Sequence, residues 1–320
     1  MNMVTPPPEL AAITALQSKL VSALRPILPE HALLWEPEDT IPYECDGLAA
    51  YRRMPLAVAL PETEEQVAQI LKICFEMQVP IVPRGSGTGL SGGAMPISQG
   101  LVLSLAKLKK IISIDPFTRT AVVQPGVRNL AISEAVAHLG LYYAPDPSSQ
   151  IACSIGGNVN ENSGGVHCLK YGLTLHNVLK VRGILMNGEI VEFGSLAPDS
   201  PGLDLLAIVM GSEGMLAVVT EVTVKLIAKP KLARVIMASF DDIEKGADAV
   251  AAIIAAGIIP AGLEMMDKAT TRAVEEFVHA GYDLEAETIL LCESDGTPEE
   301  VAEEIERMTK VLEQAGASGI

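Results

Sequence analysis

Val79-Pro80-Ile81-Val82-Pro83-Arg84-Gly85-Ser86-Gly87-Thr88-Gly89-Leu90-Ser91-Gly92-Gly93 decides how the chain is read. A short apolar strand runs into a loop of Gly, Ser and Thr. Without a Cβ, glycine lets the backbone press close to a ligand and turn its amides toward it. Successive free amides make a concave anion site, and the hydroxyls of Ser86, Thr88 and Ser91 add donors. A phosphate or diphosphate is the simplest ligand for such a loop. A P-loop is excluded, because no Gly-Lys-Ser/Thr follows the glycines. Gly87, Gly89 and Gly92 do match Gly-x-Gly-x-x-Gly. That fingerprint, however, needs a helix starting inside the glycines and an acid about 20 residues on. Pro96 breaks a helix in that register, and Leu101–Leu105 reads as a second buried strand. Lys107, Lys109 and Lys110 stand where the acid should be. An ordinary connector is a poor account of this loop, since so much glycine between two apolar strands is a costly way to join them.

A second block of small residues runs from Ala144-Pro145-Asp146-Pro147-Ser148-Ser149 through Gly156-Gly157-Asn158-Val159-Asn160-Glu161 to Gly164-Gly165. A third, Gly211-Ser212-Glu213-Gly214, turns into a strand at Met215–Thr220. Separate small-residue loops suggest one long ligand touched at several places.

Outward from these blocks, the pattern mixes strands and helices as an α+β protein does, without the regular alternation of a parallel sheet. Residues 1–40 are Pro-rich, with an amphipathic helix around Leu10, Leu16, Leu20 and Leu24 that reads as peripheral. Thr63-Glu64-Glu65-Gln66 is a capping box opening a helix through Val67, Ile70, Leu71 and Cys74. With the strands at Val79–Val82 and Leu101–Leu105 it forms a small β-α-β unit. The spacing predicts a hairpin over Ile111–Gln124 around Asp115-Pro116-Phe117-Thr118, and another over Val178–Phe193 turning at Asn187-Gly188. It also predicts a helix over Asn129–Leu139 capped by Gly140, and a strand over Leu216–Ile227. After a linker at Lys229-Pro230-Lys231, a second α+β unit follows. Strands are expected at Arg234–Phe240 and Thr288–Glu293, and helices at Asp242–Ala256, Asp267–His279 and Pro298–Ala315.

The 320 residues are 49% hydrophobic, enough for a sizeable core and more than one folding unit. A formal charge of −17 argues against nucleic acid or an anionic membrane surface as a direct partner. An anionic ligand must then be held by local backbone dipoles against the global field. Cys45, Cys74, Cys153, Cys168 and Cys292 are odd in number and contain no Cys-x-x-Cys, which fits a reducing compartment and excludes a ferredoxin-type iron–sulfur motif. No basic segment opens a secretory signal. The longest apolar run, Ala249–Leu263, is interrupted by Gly257 and Pro260 and falls short of the roughly 20 residues of a membrane span.

The three blocks together resemble the FAD-binding domain of vanillyl-alcohol-oxidase (PCMH-type) flavoproteins. Ile41-Pro42-Tyr43-Glu44-Cys45-Asp46-Gly47-Leu48, Gly164-Gly165-Val166-His167-Cys168-Leu169-Lys170-Tyr171-Gly172 and Gly262-Leu263-Glu264-Met265-Met266-Asp267 narrow the resemblance. They are similar to the D-2-hydroxy-acid dehydrogenase branch, and within it to flavoprotein subunits of bacterial glycolate oxidases. The resemblance begins near Pro42. It implies an N-terminal helical segment over 1–40 and a PCMH-type FAD-binding domain of two α+β subdomains over 41–228. A partial FAD-linked oxidase C-terminal (substrate) domain would fill 229–320, in a chain shorter than its relatives at the C-terminus.

The resemblance further implies that Pro83, Arg84, Gly85, Ser86, Gly87, Thr88 and Gly89 wrap the FAD diphosphate, with Arg84 paired either to a phosphate or to one of the chain's many acids. Pro145, Asp146, Ser148 and Ser149 would line the flavin side. Gly156, Gly157, Asn160 and Gly164 would approach the ring and ribityl chain, although turn geometry also explains these glycines. Glu213, Gly214 and Val219 would meet the adenosine end, with a plain core role for Val219 as the alternative. The first loop has no histidine to tether the flavin, and Cys153 and Cys168 read as small buried hydrophobes, so non-covalent FAD is expected.

His167 and Glu264 are the catalytic candidates; His167 also reads as a structural histidine, and Asp267 as a helix N-cap. By resemblance the reaction is oxidation of glycolate or D-lactate to the 2-oxo acid, with electrons passed to a partner subunit rather than NAD. The implied partners are a FAD-domain-like subunit and an iron–sulfur subunit, in the cytoplasm and peripheral to the inner membrane. The family's metal-binding His-Ala-Gly-Asp-Gly-Asn-like motif is absent from this sequence, whose histidines are His31, His138, His167, His176 and His279. No metal site is expected within it, and low turnover by this chain alone is. Other D-2-hydroxy-acid dehydrogenases, and a non-catalytic FAD-domain subunit, stay open as alternatives.

Overall fold

The computed structural model describes residues 8–197 and 202–320, with side chains from residue 11 onward. The part of the expected 1–40 segment before Pro8, and the side chain of Leu10, lie outside the described residues. The chain forms two compact units that share its length discontinuously. The first comprises Met1–Tyr143, Ser149–Ser163 and Thr174–Ile227; the second comprises Ala144–Ser148, Gly164–Leu173 and Ala228–Ile320.

The first unit carries two sheets. One has strands β1 (Leu33–Leu34), β2 (Ala57–Ala59), β3 (Ile81–Arg84) and β4 (Leu101–Ser104), in the order β1-β2-β4-β3. β2 and β3 both run parallel to β4, so helix α2 (Glu64–Met77) is the crossover of a β-α-β unit. The Thr63–Gln66 capping box closes both ways at the start of α2, and Gln78 ends it in the left-handed region at φ 55°. Its apolar stripe Val67, Ile70, Leu71 and Cys74 is buried.

The N-terminal helix α1 (Pro8–Leu24) is not peripheral. Leu20 and Leu24 are fully buried in the same core as Leu56, Ile70, Leu101 and Leu103. Each such side chain contributes about 1.5–3 kcal/mol of burial, which is why the helix is part of this unit rather than an appendage.

The second sheet is antiparallel throughout. It contains β5 (Ile111–Asp115), β6 (Thr120–Val123), β7 (Val178–Ile184), β8 (Ile190–Gly194) and β9 (Val218–Lys225), in the order β5-β6-β9-β7-β8. Both expected hairpins form. At the first, Asp115 Oδ1 accepts from the Phe117 and Thr118 amides; at the second, Gly188 sits at φ 85°. An ion pair joins the two sheets: Arg182 on β7 donates from Nε to Glu64 Oε1 (2.9 Å) and from Nη2 to Glu64 Oε2 (3.0 Å). Thr220 on β9 adds its hydroxyl to Glu64 Oε1 at 2.6 Å. Helix α3 (Asn129–Val136) ends through a 3-10 turn at Gly140, φ 67°. The second small-residue block is not all loop, because Ile155–Glu161 forms helix α4.

The second unit holds β10 (Leu232–Phe240), β11 (Gly262–Asp267) and β12 (Thr288–Gly296), antiparallel in the order β10-β12-β11. Helices α5 (Ile243–Ala255) and α7 (Pro298–Gln314) pack on this sheet. Ala249, Ile253, Met308 and Leu312 meet Ile236, Phe240, Leu290 and Cys292 in one core. β11 was not among the expected strands. Asp267 caps α6 (Lys268–Val278), its carboxylate accepting from the Thr270 amide at 2.7 Å, so its helix-cap reading prevails. Among the described residues no helix is long and apolar enough to cross a membrane.

Candidate functional site

A cleft with about 870 Å³ of empty space, counting its open mouth, lies wholly within the first unit. Its walls are the loop after β3, the start and end of α4, and Glu213. Pro83, Arg84, Gly85, Ser86, Gly87, Thr88, Gly89, Ser149, Gly156, Gly157, Asn160 and Glu213, separated by up to 130 positions in sequence, all line it.

The local construction explains the glycines. β4 takes the Arg84 carbonyl through the Leu105 amide (2.9 Å), and the loop closes by Met95 N to Gly92 O (3.1 Å). The amides of Ser86 to Gly89 stand outside these internal hydrogen bonds. A Cβ at Gly85 would overlap Ser154 Oγ, and a Cβ at Gly93 would overlap a Glu213 carboxylate oxygen. Both obstacles are side-chain tips, so a larger residue would have to push them aside, and the loop lies close against α4 and the turn at Glu213.

Three buried polar atoms in the wall have no hydrogen-bond partner among the described residues: Asp46 Oδ2, Ser154 Oγ and Asn160 Oδ1. Asp46 and Ser154 are themselves 6% and 2% exposed. Ser154 occupies the N-cap of α4, yet its hydroxyl makes no capping bond. A buried unsatisfied polar group costs about 1–3 kcal/mol, and so many in one cleft mark a surface shaped for a polar ligand.

Arg84 lines the cleft and is also held by the protein itself. It is buried, with Nη1 donating to Cys45 O (2.7 Å) and Ala94 O (3.3 Å) and its guanidinium lying 5.6 Å from the Tyr43 ring centroid. It braces the loop across its width. Burial pulls its pKa down, while Asp46 opposes that pull.

Glu161, at the end of α4, brings its carboxyl close to that of Glu213, both lying against Gly93. Its pKa is raised, first by burial and then by the charges of Glu213 and Asp46. Asp46, Gly93, Ser154 and Glu161 stand in segments already singled out by sequence but were not among the expected site residues.

Several expected cofactor contacts are not among the residues that line this cleft. Val219 is a fully buried core residue of β9. Gly214, at φ 73°, packs on Pro83, where a Cβ would come within 3.0 Å of the ring. Pro145, Asp146, Ser148 and Gly164 belong to the second unit. There a Cβ on Gly164 would press on Leu173, and one on Gly165 would collide with the Asp146 backbone.

The second unit gathers a charged cluster instead. Asp146 grips His167 twice, accepting from its backbone amide at Oδ1 (3.2 Å) and pairing with Nδ1 at Oδ2 (2.6 Å). His167 Nε2 faces Glu293 Oε1 on β12 at 3.4 Å. The Asp146 hydrogen bond, against the opposing effect of burial and with help from Glu293, raises the His167 pKa to about 9. Beside it Lys170 Nζ donates to Asp295 Oδ1 (2.5 Å) and to the Asp295 carbonyl (2.6 Å), and Tyr171 OH to Asp295 Oδ2 (2.6 Å). Glu264, the other catalytic candidate, is exposed on β11. No group of three or more His, Cys, Asp or Glu among the described residues could hold a metal ion.

Comparison with known proteins bears on the cleft directly. Residues 55–194 match the FAD binding domain family, and residues 229–320 match the C-terminal domain of FAD linked oxidases.

The chain carries the FAD-binding domain and the C-terminal domain of FAD-linked oxidases.

The chain is 59% identical to the glycolate oxidase subunit GlcD of Escherichia coli over 304 residues, which is 95% of this chain and 61% of that protein. The Bacillus subtilis glycolate oxidase subunit GlcD is 43% identical over 279 residues (87% of this chain, 59% of that one). A D-lactate dehydrogenase of Anaerostipes hadrus is 33% identical over 308 residues (93% and 64%). The chain thus spans about three-fifths of the length of these relatives. Among solved structures, an alkyldihydroxyacetonephosphate synthase superposes with a TM-score of 0.81 at 19% identity, covering 94% of this chain and 60% of that one. A p-cresol methylhydroxylase with substrate bound gives 0.78 at 21%, covering 95% and 65%. At such identities these two speak for the fold alone, a PCMH-type FAD-binding architecture. FAD is the cofactor.

The residues of the cleft fit that cofactor. Free amides and hydroxyls suit a diphosphate, and orphaned Ser154 and Asn160 atoms suit hydroxyl-rich neighbours.

Proposed function

We propose that the protein is the FAD-bearing portion of a 2-hydroxy-acid dehydrogenase that oxidises glycolate or D-lactate to the 2-oxo acid. The observation that supports this best is the cleft: unengaged loop amides facing buried polar atoms that lack partners. A degenerate, non-catalytic subunit would have no reason to keep those costs. The names of the relatives, glycolate oxidase subunit and D-lactate dehydrogenase, supply the substrate class.

In this reading the amides of Gly85 to Gly89, with the Ser86 and Thr88 hydroxyls, hold the diphosphate non-covalently. Charge-assisted bonds of this kind contribute about 1.5–3 kcal/mol each. Ser154 and Asn160 fix neighbouring hydroxyls, and Arg84 keeps the loop in shape. FAD supplies the two-electron acceptor chemistry. His167 serves as a positioning residue. An imidazolium that keeps its proton to about pH 9 is the wrong state for taking the substrate's hydroxyl proton at neutral pH. Its clamp by Asp146 and Glu293 instead fastens segments 144–148 and 164–173 to the substrate sheet. The domain division at 41–228 and 229–320 follows the same assignment. Electrons would leave for an iron–sulfur partner subunit of a cytoplasmic complex peripheral to the inner membrane, since this sequence has no Cys-x-x-Cys of its own.

The test is anaerobic mixing of the FAD-loaded chain, and of its C-terminally extended form, with glycolate and with D-lactate. The chain should hold close to one FAD, released by acid. The extended form should bleach with one of the two acids much faster than the chain alone. An extended, FAD-loaded form that neither acid reduces would remove the reading.

A further inference from the structure

The cleft places three acids beside the spot where a dianion must bind. Glu161 and Glu213 close over Gly93 from two sides: a Cβ built there overlaps Glu213 Oε2 and lies 3.5 Å from Glu161 Oε1. The same Glu161 oxygen lies 2.9 Å from the corresponding position on Gly89. Both carboxyls therefore rest on the loop whose amides face the ligand. Asp46 lines the same cleft, 6% exposed and with Oδ2 unpartnered. Arg84 is the cation facing this group, and its Nη1 is engaged by two carbonyls. Three ionised carboxylates around a diphosphate would repel it strongly in a partly buried setting. Two carboxylates held against one glycine repel each other, and a single proton placed between them turns that repulsion into a hydrogen bond.

We propose that Glu161 and Glu213 hold one proton between them, and that this shared proton admits the cofactor's diphosphate. The grip on FAD is then tight at acidic pH and loosens as the pair loses its proton. The inference rests on FAD occupying this cleft and adds a control to it. Burial and neighbouring charge already raise the Glu161 pKa, and a bound dianion raises it further. By linkage, FAD binding takes up a proton, and affinity falls about tenfold for each unit by which binding raises that pKa.

The experiment is titration of the apo full chain with FAD, read by quenching of flavin fluorescence, from pH 5.5 to 8.5. The dissociation constant should rise about tenfold or more across the range. Calorimetry in two buffers of different ionisation enthalpy should show proton uptake on binding. Glu213→Gln replaces the shared proton with a permanent N–H donor, so its dissociation constant should be nearly flat with pH. Glu161→Gln should behave the same way if Glu213→Gln folds poorly. A flat wild-type profile, or binding without proton uptake, overturns the proposal and leaves the cleft as the FAD site. Absence of FAD binding at every pH sinks the site assignment instead. If magnesium ions restore tight binding at pH 8.5, the acids are acting as a cation site and the shared proton is refuted.

Discussion

The cleft of the first unit and the charged cluster of the second use similar side chains in opposite ways. In the cleft, Asp46, Ser154 and Asn160 each keep a buried oxygen without a partner. In the cluster, both carboxylate oxygens of Asp146 and of Asp295 are engaged, by His167 in one case and by Lys170 and Tyr171 in the other. A group with its partners present stabilises the fold it belongs to. A group without them destabilises the empty protein and is relieved only when something else arrives. The difference separates a ligand site from a structural network more sharply than residue type does, since both regions are rich in acids, hydroxyls and glycine.

The largest expected effect breaks the cleft. Gly85→Val puts branched carbons against Ser154 Oγ and pushes the loop off α4. With two or three charge-assisted bonds lost, FAD affinity should fall 100-fold or more in an equilibrium titration. Adding Ser154→Ala relieves part of the overlap, so it should recover stability without recovering affinity.

Breaking the cluster should do the reverse. Asp295→Ala takes the carboxylate from Lys170 and from the Tyr171 hydroxyl but leaves Lys170 its bond to the backbone carbonyl, so about 1–3 kcal/mol of unfolding free energy should disappear. FAD affinity should stay within twofold. A large loss of affinity in this variant would erase the distinction between the two regions.

The cluster should also respond to pH. The folded pKa of His167 is raised above its ordinary value of 6.5, to about 9. Its stabilising contribution is therefore complete below pH 6.5 and lost as pH rises through 9. Allowing for the water that reaches a half-buried ring, this is about 1–2 kcal/mol. Melting temperature measured across that window should decline in the wild type and decline less in His167→Gln.

The smallest effect is the most diagnostic. Ser154→Ala removes an unsatisfied hydroxyl, so the apo protein should gain about 1 kcal/mol while FAD binding weakens by about the same amount. Two changes of the same sign would place Ser154 among ordinary structural residues.

Much of the frame was legible in the sequence because it depends on near neighbours. The Thr63–Gln66 box, the turn at Asn187-Gly188 and the stripe Val67, Ile70, Leu71, Cys74 each declare an element within a few residues. β11 was missed because Gly262-Leu263-Glu264-Met265-Met266-Asp267 exposes residues on an edge strand and shows no clean alternation. α4 was missed because paired glycines weaken its helical signal, although its packing holds it. The reading of α1 as peripheral failed for a related reason. Periodicity reveals an apolar stripe but not how much core awaits it.

The site divided along the same line. A glycine loop advertises close approach, and the amides of Ser86 to Gly89 stand outside its internal hydrogen bonds. Arg84 could not be placed from its neighbours, because its partners Cys45 and Ala94 are carbonyls that folding alone brings there. The Glu161–Glu213 contact joins residues 52 positions apart, and the pairing of His167 with Glu293 spans 126. Local chemistry along the chain, set by backbone freedom and hydrophobic period, determined the elements, the glycine-rich loop and its kinship. Which polar atoms meet partners and which stay empty was decided only by tertiary packing, because burial and charge act through space on groups that the chain keeps far apart.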